Sequence, residues 1–165
     1  MKHAIRKVSA VVALSLGVAA CTSDAPSPVE EVLSRDILFA EYPSSGFTYL
    51  SFSKAHGFQV NYLKSGGEAW LWYPGNSKAL YEQWKTGVIS GQNAVCWRHP
   101  SNSYNPVTGQ TGGQYACEPL AVAQKSQIAR LAGDPYNLSS GRVPHRLERC
   151  KAPSQFDFDR ERYKC

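Results

Sequence analysis

The apolar positions change their rhythm three times along the chain. Val8 to Ala20 is an apolar run of 13 residues, interrupted only by Ser9, Ser15 and Gly17. Val29, Val32, Leu33, Ile37 and Leu38 then recur at helical spacing and predict an amphipathic helix to about Ala40. Its start carries a full set of signals: Ser27 to cap, Pro28 at the first helical position and Glu30 to complete a capping box. Pro43-Ser44-Ser45-Gly46 ends it. From Phe47 the period falls to two. Phe47, Tyr49 and Phe52 predict one strand, and Phe58, Val60 and Tyr62, alternating with Gln59 and Asn61, predict a second with one buried face. Ser65-Gly66-Gly67 is a turn, so Glu68 to Tyr73 pairs back as a hairpin. That strand is apolar on both faces, which predicts a central or doubly covered position. Leu80 to Lys85, Ala94 to Arg98 and Gln114 to Glu118 continue the meander. Ala121 to Leu131 reads as a second helix, with Val122, Ile128 and Leu131 apolar and Gly133 as its stop.

These elements predict an α+β domain: an N-terminal helix, an antiparallel meander of five or six strands, and a short helix after the last strand. Such a meander is of a size to curl into a small partial barrel. The remainder, with Gly141, Pro144 and Pro153, reads as irregular structure.

The first apolar run changes the picture of where the protein works. Lys2, Arg6 and Lys7 precede it, and Val18-Ala19-Ala20-Cys21 closes it. A membrane-spanning helix needs about 20 apolar residues, so the run is short for a span and suits a cleaved signal. The closing residues resemble the lipobox of bacterial lipoproteins. The resemblance implies removal of residues 1–20 and acylation of Cys21, with an anchoring strength of about 0.8 kcal/mol per buried methylene. Cleavage that leaves Cys21 a plain cysteine is the alternative. Thr22 stands where an Asp would imply retention in the inner membrane, so the expected place is the outer membrane, facing the periplasm. Residues 21–28, rich in Ser and Pro, form the tether, and residues 29–165 form one domain.

Charge and cysteine content fit export. The formal charge of +5 falls to +2 once Lys2, Arg6 and Lys7 are lost, too little to argue for nucleic acid. Residues 142–165 carry a net +3, either a solvated face or a contact for anionic head groups. With Cys21 assigned to lipid, Cys96, Cys117, Cys150 and Cys165 remain. Of the three pairings, Cys96–Cys117 and Cys150–Cys165 are favoured because each closes a short loop, worth about 3 kcal/mol in the chain-entropy model. Cys96 and His99 form a lone CxxH, and Asp157-Phe158-Asp159 lacks the glycine and distant glutamate of a calcium loop, so no metal site is expected. Nor is a cofactor, since no glycine-rich phosphate loop follows a strand.

Two features are candidates for binding. Trp70 and Trp72 share a strand face with Glu68, and Trp84, Trp97, Tyr104 and Tyr115 follow. These rings are either the core or a stacking platform for a sugar or apolar ligand. His99 to Gly113 is a 15-residue connection inside a hairpin, and loops this long are usually functional or disordered. Pinned at its base by Cys96–Cys117, it would offer His99, Asn102, Tyr104 and Asn105 to a ligand. The alternative is a loop whose polar groups satisfy its own backbone.

Tyr62-Leu63, Trp70-Leu71-Trp72-Tyr73-Pro74-Gly75-Asn76, Trp84-Lys85, Val95-Cys96-Trp97-Arg98, Tyr104-Asn105-Pro106-Val107-Thr108-Gly109 and Cys117 resemble a group of small exported bacterial proteins of unknown function. The likeness covers residues 58–120 and implies no activity. The overall plan is also similar to periplasmic lysozyme-inhibitor lipoproteins, in architecture alone. His56, His99 and His145 stand in no known catalytic arrangement. The expectation is therefore a non-enzymatic envelope lipoprotein, held to the membrane by its lipid, that binds an envelope glycan or protein. The alternatives are a lysozyme-inhibitor-like protein, a structural lipoprotein held by its basic tail, or a cell-wall-active hydrolase using Glu68 or His99 beside Trp70 and Trp72.

Overall fold

A computed structural model of the chain describes residues 27–165. The apolar run, Cys21 and most of the tether lie outside the described residues. The first described element is helix α1, Pro28–Leu33, and its start is as the sequence predicts. Ser27 Oγ accepts from the Glu30 amide at 3.3 Å, and the Ser27 amide donates to Glu30 Oε2 at 2.8 Å. The helix does not run to Ala40. It ends at Ser34 because Arg35 turns inward, 3% exposed, where its Nη1 donates to the Phe52 carbonyl at 2.8 Å and its guanidinium lies over the Tyr163 ring. That buried tertiary anchor outweighs the helical periodicity, and Ile37 and Leu38 are left exposed.

The meander is an antiparallel sheet of seven strands curled into a half-barrel. In chain order these are β1 Phe47–Ser53, β2 Gly57–Lys64, β3 Glu68–Trp72, β4 Leu80–Ile89, β5 Gln92–Arg98, β8 Tyr115–Pro119 and β9 Gln127–Ala132. Between β5 and β8 the long connection forms its own two-stranded hairpin, β6 Tyr104–Asn105 and β7 Gln110–Thr111. The sheet order is β8-β5-β4-β3-β2-β1-β9, so β3 is central, as its two apolar faces require. Helix α2, Leu120–Ser126, has 7 residues and stops five short of the predicted end at Leu131. The rest of that predicted helix is β9, which pairs antiparallel with β1 and closes an edge that β1 would otherwise expose.

The α+β class therefore stands, with a sheet of seven strands where five or six are predicted and two further short strands in the long connection. Both disulfides form as favoured, Cys96–Cys117 and Cys150–Cys165. Cys96 and Cys117 are directly opposite residues of β5 and β8.

Each face of the sheet has its own core. On the outer face Leu50, Phe52, Val60, Trp70 and Trp72 are buried by the C-terminal segment, through Leu138, Leu147, Phe156 and Tyr163. On the concave face Tyr49, Leu63, Ala69 and Val95 pack against Tyr42 and Ala123 of α2. The C-terminal segment is clamped onto the β1–β2 turn: the Phe58 amide donates to the Arg149 carbonyl at 2.9 Å. Gly57 permits this approach. Its φ is +75°, and a Cβ there would lie 2.2 Å from the Arg149 carbonyl oxygen. Gly57→Ala should lower the unfolding free energy by about 2 kcal/mol, through backbone strain and overpacking together. Urea unfolding measures this, and a loss below about 0.5 kcal/mol would mean that the clamp is dispensable.

Candidate functional site, a polar groove on the concave face

Alternation along paired strands determines what the concave face carries. Asn61 on β2, Glu82 on β4, Trp97 on β5 and Glu118 on β8 all have concave-face parity. Glu82 lies directly opposite Ala69, whose small side chain leaves room for the carboxylate. Gln83 pairs with Arg98, so the next position along places His99 across from Glu82. The apolar cluster fills one end of this face. The other end is a groove of about 470 Å³, with Asn61, Glu82, Trp97, His99 and Glu118 among its lining. Val29 and Val32 of α1 form one rim, while Asn105, Thr108 and Gln110 reach it from the long connection.

The long connection is held in place by its own backbone. The Gly113 amide donates to the His99 carbonyl at 2.9 Å, and the Gly112 amide donates to the Ser103 carbonyl at 3.0 Å. Gly112 is needed there because a Cβ would meet the Pro100 carbonyl oxygen at 2.0 Å. Asn105 Oδ1 accepts from the Val107 amide at 2.9 Å, so this side chain serves the loop's own turn while lining the groove.

The groove floor is under-satisfied. Asn61 Nδ2 donates to Glu82 Oε2 at 3.2 Å. His99 Nδ1 lies 3.1 Å from Glu82 Oε1, close enough for an ion pair but out of line for a hydrogen bond. Asn61 Oδ1, Glu82 Oε1 and His99 Nδ1 are thus buried with no hydrogen-bond partner. Asn61 Oδ1 costs about 1–3 kcal/mol if it stays unpaired, whereas Glu82 Oε1 and His99 Nδ1 face each other. Glu82 itself is 1% exposed.

Electrostatics follow from this crowding. The Glu82 carboxylate raises the His99 pKa, against the opposing effect of burial. Burial raises the Glu118 carboxyl above the usual range, an effect partly offset by the Trp97 indole beside it. Glu118 nonetheless keeps part of its surface open. Burial, and then the charges of Glu118 and Glu82, push the Tyr42 hydroxyl well up.

A pH dependence follows. With its folded pKa raised, His99 contributes stability fully below its unfolded pKa of about 6.5, and loses it as pH rises through the folded value. Glu118 also favours the folded state at lower pH, so the His99 share is isolated by difference. The fall in melting temperature between about pH 6 and pH 8 should be shallower in His99→Gln than in the wild type. Parallel curves for the two proteins would contradict the Glu82–His99 pairing.

The candidate residues of the sequence divide clearly. Trp97, His99 and Asn105 meet in the groove. Trp72 does not serve as a platform: it has no exposed surface and packs against Tyr136 and His145. Trp70 is 8% exposed, between Tyr62 and Tyr81 on the outer face. The pair belongs to the core because the C-terminal segment covers that face. Tyr104 is 63% exposed at the hairpin and Asn102 is exposed beside it, both away from the groove lining. Glu68 pairs with Lys64 at the surface, 2.9 Å away, and lies in no cleft with the tryptophans. Sequence reasoning missed Asn61, Glu82, Glu118 and Tyr42. The parity of Asn61 and Glu82 was readable, but the pairing register that brings them together was not.

A second cleft, of about 630 Å³, lies between His56, Tyr73 and Arg149 on the surface. Its polar groups already have structural work: His56 Nδ1 sits 3.3 Å from Ser53 Oγ, and Arg149 holds the Lys54 carbonyl. Among the described residues no cluster of His, Cys, Asp and Glu has the arrangement of a metal site. No described helix is long and apolar enough to cross a membrane. The chain matches no protein-family model, and no curated protein and no solved structure was found to be similar to it.

Proposed function

We propose that this chain is a lipid-anchored protein of the outer membrane, facing the periplasm, that binds an envelope ligand in the concave groove without chemistry of its own. The observation that carries the binding reading is the groove floor. Strands β2 and β4 and the residue that follows β5 bring Asn61, Glu82 and His99 to one place, where Asn61 Oδ1 has no partner and Glu82 Oε1 and His99 Nδ1 face only each other, out of hydrogen-bond alignment. Groups of this kind are costly for stability alone and useful for recognition. The anchored, exported setting is supported by Val18-Ala19-Ala20-Cys21 and agrees with the two disulfides. An envelope glycan is the favoured ligand class, since polar side chains and the half-buried Trp97 ring together suit sugars and their substituents.

The test is co-sedimentation with purified cell-wall sacculi, comparing the wild type with Thr108→Trp, which places a bulky ring on an exposed roof residue. The wild type should sediment and the variant should remain largely soluble. Equal sedimentation of both proteins, or of neither, would contradict the reading.

One observation favours a second reading. Glu82 against His99, with a raised Glu118 in the same groove, has the parts of general acid–base chemistry. A hydrolase would release new reducing ends from sacculi on long incubation, and a binding protein would not.

A further inference from the structure

The polar groups of the groove are unevenly matched, and the mismatch points to a ligand chemistry. Asn61 Oδ1 is an acceptor without a donor, and Glu82 Oε1 has only the misaligned His99 imidazole, 3.1 Å away. Glu118 adds a second carboxyl on the same face, two residues beyond Ala116 on β8. Carboxylates are acceptors only, so the shortage is of donors. No lysine or arginine lines the groove among the described residues. Its cationic capacity rests on His56 and His99, and His56 is held toward its neutral form by burial and by Arg149. Glu82 is the decisive group. Its side chain is 2% exposed, and its only ion-pair partner among the described residues is an imidazole that sits 3.1 Å away without hydrogen-bond alignment. The carboxylate is thus enclosed, and His99, about one third exposed, is the partner beside it. Trp97 contributes an aromatic face to the same lining, which attracts cations.

We infer that the groove recognises a cationic nitrogen, a primary ammonium group on the envelope ligand, which donates to Glu82, Asn61 and Glu118 and rests against Trp97. This rests on the binding reading above. The ammonium would bring three donors to three acceptor groups and a positive charge to two carboxyls. Two sources offer that chemistry: the free side-chain amine of a cell-wall peptide, and a lysine on a protein partner.

The experiment is calorimetric titration of the purified full chain with three probes. These are a muropeptide bearing a free side-chain amine, the same muropeptide N-acetylated on that amine, and Nα-acetyl-lysine methylamide. The expected result is that acetylation weakens muropeptide binding by about tenfold or more, the scale of a charge-assisted hydrogen bond. Glu82→Gln and Glu118→Gln should each abolish most of that discrimination. Glu118, being partly accessible, provides the variant least able to disturb folding. Binding of the lysine amide but neither muropeptide would uphold the ammonium site and assign it to a protein partner. Equal binding of the free and acetylated muropeptides would overturn the inference and leave the groove as a glycan site. Failure of every probe to bind would overturn the inference and the binding reading together.

Discussion

Trp72→Ala is expected to lower the unfolding free energy by about 3–5 kcal/mol, the usual cost of deleting a buried tryptophan side chain. Trp72 has no exposed surface, and its ring centroid lies 5.4 Å from Tyr136 and 4.8 Å from His145, both brought by the C-terminal segment. It sits in one cluster with Leu50, Val60, Leu147 and Phe156. The cavity would therefore open between two parts of the chain that regular secondary structure does not join. Against a total stability of about 5–15 kcal/mol for a domain of this kind, the loss is a large share. The indole Nε1 has no hydrogen-bond partner. Trp72→Phe should thus be much milder, because it keeps an aromatic ring and removes an unsatisfied buried donor. Urea denaturation of the two variants reads both effects. A loss below about 1 kcal/mol for the alanine variant would mean that the C-terminal segment does not cover the sheet as described.

The second large effect is expected from the Cys150→Ser, Cys165→Ser double variant. The two cysteines are 15 residues apart, and a loop of that size corresponds to about 3 kcal/mol. Beyond β9 the only helical element is the three-residue 3-10 turn Leu138–Ser140, so few backbone ladders resist fraying. Tyr163, 8% exposed, packs on Phe52 and Phe158 packs on Phe58, while Phe156, 2% exposed, joins the same outer-face cluster. Without the staple they should detach first, and the variant should bind a hydrophobic dye below its unfolding transition. Removing Cys96–Cys117 should cost less. Those residues are already cross-strand partners, so the ladder between β5 and β8 holds the loop ends together. Thermal unfolding of both double variants tests the order, and a larger loss for the Cys96 and Cys117 pair would contradict it.

The local signals in the sequence were sufficient where local physics decides. The capping box at Ser27 and Glu30, the Gly66-Gly67 turn and the doubly apolar β3 all appear in the structure as their residues require. The two errors in helix length share one cause. Ile37 and Leu38 continue a helical period, and so do Ile128 and Leu131, but distant partners decide both segments. Arg35 is drawn in by the Phe52 carbonyl, and Gln127–Ala132 is drawn out by the free edge of β1. Such non-local pairing leaves no trace in a window of ten residues.

The site was only partly legible for the same reason. His99 and Asn105 drew notice because their loop is long. Asn61 alternates with the apolar Phe58, Val60 and Tyr62 on the polar side of its strand, and no local signal sets Glu82 apart. Only the register of β2, β3 and β4 brings the two side chains within 3.2 Å of each other. Of the two readings open for the tryptophans, core or platform, Trp70 and Trp72 take the core. Trp70 and Trp72 share a face, as alternation demands, but the segment that buries them has no periodicity to announce it.

The central claim is that the concave groove is where this protein meets its ligand. It is tested most directly by ¹H–¹⁵N correlation spectra of the uniformly labelled full chain during titration with a mixture of muropeptides. The account predicts shifts at the Asn61 side-chain amide, the Trp97 indole and the backbone of His99, Asn105 and Thr108, while the Trp72 indole stays unmoved. Shifts confined to the outer face or the basic C-terminal segment, with those groove signals unchanged, would contradict it.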